Sequence, residues 1–342
     1  MHAEILFSNR LWAMAHKGEG LNRAGARSHC VNKPTTDVRC PVCGSETVHH
    51  CPAPNWGEMR RCLSCGLVLA NPMPLPESST LLFDKAYRGE VSTSGLRRYA
   101  TRLKFRDELK SLGMDVQNTG KRPVMHWLKS NIAAGSVVVD IGCGLGLLMS
   151  DLRGAGFRPV GVDVSEELVK MLQKEGYQVW LGNVRNIPPD WAEPAACTCL
   201  YVLHHSPDPI GFLSDIRHRF PHASLLLSES AGGWGRGRTA VWFPPGTLTW
   251  WTAQALRIAL EQAGYSAHTI SAVSVESSEF GIPGLLNLYR AFNGVLHLQA
   301  LAPYYFKLKK VLFAPWAAAY RMMGRHPHYL ATSVPAPQAE EK

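Results

Sequence analysis

VVVDIGCGLGLLMS, residues 137–150, decides the fold: an unbroken apolar run turns through three closely spaced glycines into a second apolar stretch. That order reads as a buried strand, a tight turn and a helix. Asp163 closes the next strand-like run, PVGVD, at a distance suited to gripping a ribose. The two features together point to a nucleotide-like cofactor.

Gly142, Gly144 and Gly146 let the main chain approach a ligand with no Cβ in the way, and a helix starting near Leu147 aims amide hydrogens at the same place. The turn runs G-C-G-L-G and lacks the G-x-G-x-x-G spacing of a dinucleotide site. S-adenosylmethionine carries no pyrophosphate. Its carboxylate, amino group and ribose suit a glycine-rich backbone with Asp140 and Asp163 nearby.

Outward from this centre, strands and helices alternate. SEELVKMLQKEG predicts a helix begun by Ser165 as N-cap, with Glu166 and Glu167 in its first turn. QVWLGN, ACTCLYVL and ASLLLSES read as strands, with PIGFLSDIRHRF as a helix between the last two. The pattern predicts an α/β fold: a Rossmann-like, mostly parallel sheet with helices on both faces. Ligands bind such sheets at the carboxyl ends of the strands, where Gly142, Asp163, Asn183 and His205 all fall.

VVVDIGCGLG, GVDVS, LGNVRNIP and YVLHHSPDP, in this order between residues 137 and 209, resemble the successive motifs of class I S-adenosylmethionine-dependent methyltransferases. The resemblance spans about residues 120–330 and implies a seven-stranded sheet. It implies that the glycine loop holds the methionine moiety, that Asp163 binds the ribose hydroxyls, and that Asn183 lies beside the adenine. It also places His205 at the histidine of a V-L-E-H-V-P-D-P type of segment, with His204 at its glutamate. His205 is therefore the residue expected to take a proton as the methyl moves, since a histidine titrates near neutral pH; a loop-capping hydrogen bond is its alternative role. Two departures stand out. Pro194-Ala195 replaces the usual Phe-Asp, and FPPGTLTWW puts Gly246 and Thr247 where arginine and histidine are common. Trp250 and Trp251 then predict a flat, apolar wall for the acceptor.

Upstream, Cys40-Pro-Val-Cys43 and Cys62-Leu-Ser-Cys65 carry the spacing of a four-thiolate zinc ribbon. With no open coordination position, that Zn2+ is expected to be structural. Small ribbons of this sort also precede the catalytic domain in some methyltransferases that act on sugars or small metabolites. The sequence thus divides into a leader over 1–36, a ribbon over 37–70, a helical preface or lid over 71–136, a methyltransferase domain over 137–330 and a disordered tail over 331–342. The preface includes the helical pattern GLRRYATRLKFRDELKSLG.

The chain has 342 residues, 46% hydrophobic and 18% charged, enough for a sizeable core. Five of its nine cysteines have no framework spacing, which fits a reducing cytoplasm, and the first twenty residues read as neither signal peptide nor membrane span. The net charge of +9 is uneven: residues 280–339 contain no acid. Within a basic apolar insertion at about 281–325, LAPYYFKLKKVLFAPWAAAYRMM suits a lid, a homodimer surface or a peripheral contact with the inner face of a membrane through residues 300–323. A nucleic-acid substrate is disfavoured, because the ribbon mixes both charge signs and no Asn/Asp-Pro-Pro-Tyr tetrad ends the 196–203 strand. The expected activity is O-methylation of a small or lipid-like metabolite by direct in-line transfer. N- or C-methylation of a sugar or other small metabolite is the second reading, and a non-catalytic cofactor- or partner-binding protein the third.

Overall fold

The computed structural model describes residues 38–53, 56–90, 118–191, 193–230, 243–273 and 328–335. The leader, the 95–113 helical pattern and the basic apolar stretch at 281–325 lie outside the described residues. Among the described residues, no helix is long and apolar enough to cross a membrane.

The apolar run at 137–141 becomes β4 (Val137–Ile141), buried along its whole length as expected of a strand covered on both faces. Parallel neighbours flank it: β5 (Arg158–Asp163) and β6 (Gln178–Leu181) on one side, β7 (Ala196–Leu200) and β8 (Ser224–Ser230) on the other. Beyond β8, β11 (His328–Pro335) pairs antiparallel with both β8 and β10 (Tyr265–Val273). The order β10-β11-β8-β7-β4-β5-β6 thus describes a mixed, mostly parallel sheet. The final strand covers the run HYLATSV and reaches Pro335, with Ala331 fully buried between two partner strands.

Strand pleating sorts the side chains into two cores. Val137, Val139 and Ile141 face a cluster with Leu213 and Ile216 of α5 (Pro209–Arg219) and Leu256 and Leu260 of α6 (Ala253–Gln262). Val138 faces the other side, with Val124 and Leu128 of α2 (Asn118–Asn131) and Leu148 and Leu152 of α3 (Leu147–Gly154). Lys121 of α2, almost fully buried, pairs with Asp151 of α3 at 2.5 Å. Gly161 in β5 permits close packing beneath the glycine turn, since a Cβ there would lie 2.8 Å from Cys143 Sγ and 2.9 Å from Met149 Sδ. The helix predicted after Ser165 is α4 (Glu166–Lys174).

The ribbon contributes β1 (Thr47–Ala53), β2 (Gly57–Cys62) and β3 (Val68–Asn71), followed by α1 (Pro76–Tyr87). It is not a separate body. Its sheet takes a fourth strand, β9 (Thr249–Trp250), from far along the chain, with Val68 opposite Trp250 and Leu69 opposite Thr249. Cys40, Cys62 and Cys65 share one apolar cluster with Trp251 and Leu256. Trp250 packs on Phe243, Met59 and Val68 in another. The two tryptophans are 5% and 0% exposed, so they anchor the ribbon and do not form the acceptor wall expected of them.

Candidate active site and metal centre

At the carboxyl end of β4 the chain turns sharply back over β5: the Gly142 and Cys143 amides both donate to Val162 O, at 2.8 and 3.1 Å. Gly142 has φ +70, and a Cβ there would lie 2.4 Å from Val202 Cγ2, so conformation and space both demand glycine. Gly144 has φ +53 but a roomier flank, where a Cβ would meet the Tyr87 hydroxyl at 3.7 Å and Gly142 O at 3.9 Å. Gly146, at φ +69, is the N-cap of α3, whose first turn has no side-chain cap. The amides of Gly142, Cys143, Gly144 and Gly146 donate within the protein, so it is the first turn of α3 that presents backbone donors of the kind that hold a carboxylate.

Asp163 faces this turn. Its Oδ2 accepts from Gly144 N at 2.8 Å and its Oδ1 from Ser165 N at 2.9 Å. The residue is 8% exposed, and burial pushes its carboxyl above the usual range against those two donors, with the Asp84 charge adding in the same direction. Ser165 occupies the N-cap position of α4, yet its hydroxyl makes no cap bond; Ser165 Oγ is buried without a hydrogen-bond partner among the described residues. Asp140, also buried, accepts from Thr198 Oγ1 of β7 at 2.8 Å. Asn183 follows β6 and is exposed, its carbonyl accepting from Asn186 N. The acid, the glycine cradle and the orphaned hydroxyl beside Asp163 fit the ribose and amino-acid ends of S-adenosylmethionine. Asn183 stands just after β6, the strand beside β5.

The second half of the site follows β7. Tyr201 adopts φ +61, unusual for a side-chain-bearing residue, and leads into a 3-10 turn at Leu203–His205. His204 is buried, its Nδ1 2.6 Å from Glu229 Oε2, while Glu229 Oε1 accepts from Leu203 N at 2.8 Å. Next to it, the His205 Nδ1 bonds to the carbonyl of Gly246. A carbonyl only accepts, so Nδ1 is the protonated nitrogen and Nε2 carries the basic lone pair of the neutral ring. The ring packs 3.9 Å from His204 and 4.3 Å from Phe83 of α1, measured between centroids. Helix α1 meets both halves: Phe83 lies on His205, Asp84 Oδ1 accepts from Glu166 N at 3.2 Å, and Tyr87 approaches Gly144. Sequence reasoning missed Glu229 and the inner face of α1. An acid inside the apolar run SLLLSES was the available signal for Glu229, since a buried carboxylate demands partners.

In the ribbon, Cys40 Sγ lies 3.6 Å from Cys65 Sγ and Cys43 Sγ lies 3.4 Å from Cys62 Sγ, with all four sulfurs within 4.8 Å of one another. A tetrahedron with bonds of about 2.3 Å needs sulfurs roughly 3.8 Å apart, so the donor set fits one metal ion. A hydrogen bond from Cys65 pulls Cys40 down to about 5 and in return holds Cys65 up, a proton-sharing arrangement that a cation would replace. None of the eight described cysteines forms a disulfide.

Comparison with known proteins agrees with this geometry. Residues 105–270 match a family described as a methyltransferase domain. A ubiquinone biosynthesis O-methyltransferase of Xanthomonas oryzae pv. oryzae (strain PXO99A) is 32% identical over 103 residues, covering 28% of this chain and 43% of its own. The enzyme of that name from Thiobacillus denitrificans (strain ATCC 25259 / T1) is 35% identical over 108 residues, covering 30% and 43%. The chain thus spans less than half the length of these curated relatives. Among solved structures, the 1,6-didemethyltoxoflavin-N1-methyltransferase of Burkholderia thailandensis is 16% identical, with a TM-score of 0.45, over 80% of this chain and 97% of its own. A complex of the Haloferax volcanii Trm112 methyltransferase activator with a methyltransferase gives 16% and 0.45 over 72% and 100%. With the sheet order and the Asp163 cradle in place, the match over 105–270 shows similarity to methyltransferase domains, on a fold of the class I S-adenosylmethionine-dependent kind preceded by a four-cysteine cluster able to coordinate a metal.

Proposed function

We propose that this chain methylates a hydroxyl oxygen of a small or lipid-like metabolite by direct in-line transfer, with His205 as the base. Asp163 holds the ribose hydroxyls, the backbone of Gly142, Gly144 and Gly146 with Asp140 shapes the methionine pocket, and Asn183 lies beside the adenine. Bound there, the sulfonium supplies an electrophilic methyl group, so the protein has chiefly to align the acceptor and exclude water. Helix α1 serves the second task, through Phe83 against His205 and Tyr87 beside Gly144. His205 takes the acceptor proton at Nε2 while the Gly246 carbonyl holds its Nδ1–H. Cys40, Cys43, Cys62 and Cys65 hold a closed, structural zinc.

The observation that carries the reading is the fixed tautomer of His205 at the end of β7, the strand next to β4 and its glycine turn. An oxygen acceptor also agrees with the curated relatives, which are named as O-methyltransferases. The test is mass spectrometry of a metabolite and lipid extract incubated with the protein and methyl-labelled S-adenosylmethionine. The expected product carries the label on oxygen, and His205→Ala lowers its formation by about 10²- to 10⁴-fold with S-adenosylhomocysteine binding retained. A product labelled on nitrogen or carbon overturns the oxygen assignment.

A further inference from the structure

The metal cluster and the double-histidine turn are far apart in sequence but grip the same short segment, residues 243–252. From the ribbon side, Thr252 Oγ1 donates to Cys65 O at 2.6 Å and accepts from Ala255 N at 3.0 Å, tying the second cysteine knuckle to the first turn of α6. Gly66 lies directly against this threonine: a Cβ there would sit 3.2 Å from Thr252 Cγ2. Ala70 N donates to Leu248 O at 2.8 Å beside the β3–β9 pairing. From the other side, Leu248 N donates to His204 O at 2.8 Å, and Gly246 O receives the His205 Nδ1–H. Leu248 therefore bonds the ribbon through its carbonyl and the histidine turn through its amide.

We propose that Thr252 is a positioning residue through which the metal-bound ribbon sets the geometry of the His204–His205 turn. The inference rests on the reading of His205 as the acceptor-side base. The contacts of Asp163 to Gly144 and Ser165 lie outside this segment, among β5, the glycine turn and the start of α4. A small ribbon draws its order from its metal. The state of the four thiolates is accordingly communicated to the acceptor side through residues 243–252.

The test is amide hydrogen exchange on the full zinc-loaded chain, read at Leu248 and, as internal control, at Gly144. Thr252→Val keeps the shape and removes the hydroxyl; Thr252→Ser keeps the hydroxyl. The expected result is exchange at Leu248 faster by about tenfold in the valine variant, the loss of one or two ordinary hydrogen bonds. Exchange at Gly144 and zinc content stay unchanged, and the serine variant returns to wild type. Withdrawing zinc from wild-type protein saturated with S-adenosylhomocysteine is expected to give the same split between the two amides. The proposal is overturned if Leu248 keeps its protection in the valine variant, or if both amides loosen together. Failure of S-adenosylhomocysteine to bind the wild type sinks the functional reading instead, and the exchange comparison between the threonine variants still stands.

Discussion

His204 and Glu229 meet at 2.6 Å inside the protein, with side chains 8% and 0% exposed, and the second oxygen of Glu229 accepts from the Leu203 amide. One buried carboxylate thereby fixes both the backbone and a ring of the turn that presents His205. Glu229→Gln leaves a single acceptor where two are used and sets an amide N–H against one of the two donors. The expected cost is about 1–3 kcal/mol of stability, with turnover lowered more than cofactor affinity. Denaturant titration alongside S-adenosylhomocysteine calorimetry checks both halves; an unchanged melting curve would show that the pair is not structural.

Asp163→Asn should weaken cofactor binding by roughly tenfold or more, the scale of one hydrogen bond to a charged acceptor. The same change should ease an intrinsic penalty. Burial raises the Asp163 carboxyl, so its contribution to stability is present in acid and is lost as pH climbs through the folded-state value. Relative to wild type, the cofactor-free variant should therefore gain stability from mild acid toward neutrality. A variant whose stability runs parallel to wild type across that range would contradict the assignment.

Gly142→Ala is expected to cost at least 1–2 kcal/mol, because φ is +70 and the new methyl would lie 2.4 Å from Val202 Cγ2. Gly144→Ala has space for its methyl and should be milder for the free protein. With the proposed role of this turn in holding the cofactor, its damage should appear on cofactor binding. Comparing melting temperature with binding for the two variants separates packing from ligand contact.

Glu58 illustrates a different dependence on pH. Burial opposes its charge, but hydrogen bonds from His49, Arg60 and Asn71 outweigh that and hold the carboxyl at about 2. The stabilisation it lends the ribbon is present above the ordinary glutamate range and is lost as pH falls toward 2. Glu58→Gln should cost about 2 kcal/mol near neutrality, with the gap to wild type closing in acid. A gap independent of pH would assign the effect to packing.

The parts legible in the sequence were those with local grammar. A buried parallel strand announces itself as VVVDI, a cofactor turn as closely spaced glycines, and a metal site as paired cysteines, because each demand is met within a few residues. Asp208, which caps α5 by accepting from Gly211 N, meets its demand within a few residues in the same way. What the sequence concealed was long-range. Trp250 and Trp251 read as a flat, apolar wall for the acceptor, because nothing near them reveals that the ribbon's strand and cysteines come to cover them. Ser165 holds the N-cap position its sequence predicts, but that its amide serves Asp163 and its hydroxyl caps nothing could not be read locally. Glu229 looked like one polar letter in a strand until the turn carrying His204 was folded against it.

The hydrogen bond from Thr252 to the Cys65 carbonyl closes a gap of 187 positions, and it sets a timetable for synthesis. At about 5–20 residues per second, the ribosome needs roughly 10–40 s to deliver Thr252 after Cys65 has been made. Through that interval β3 lacks the β9 strand that pairs with its free side, and an open strand edge invites wrong partners. The newborn ribbon must wait for the catalytic half to finish it, so mutations near residue 250 should show their first effect as lost yield of folded protein during translation.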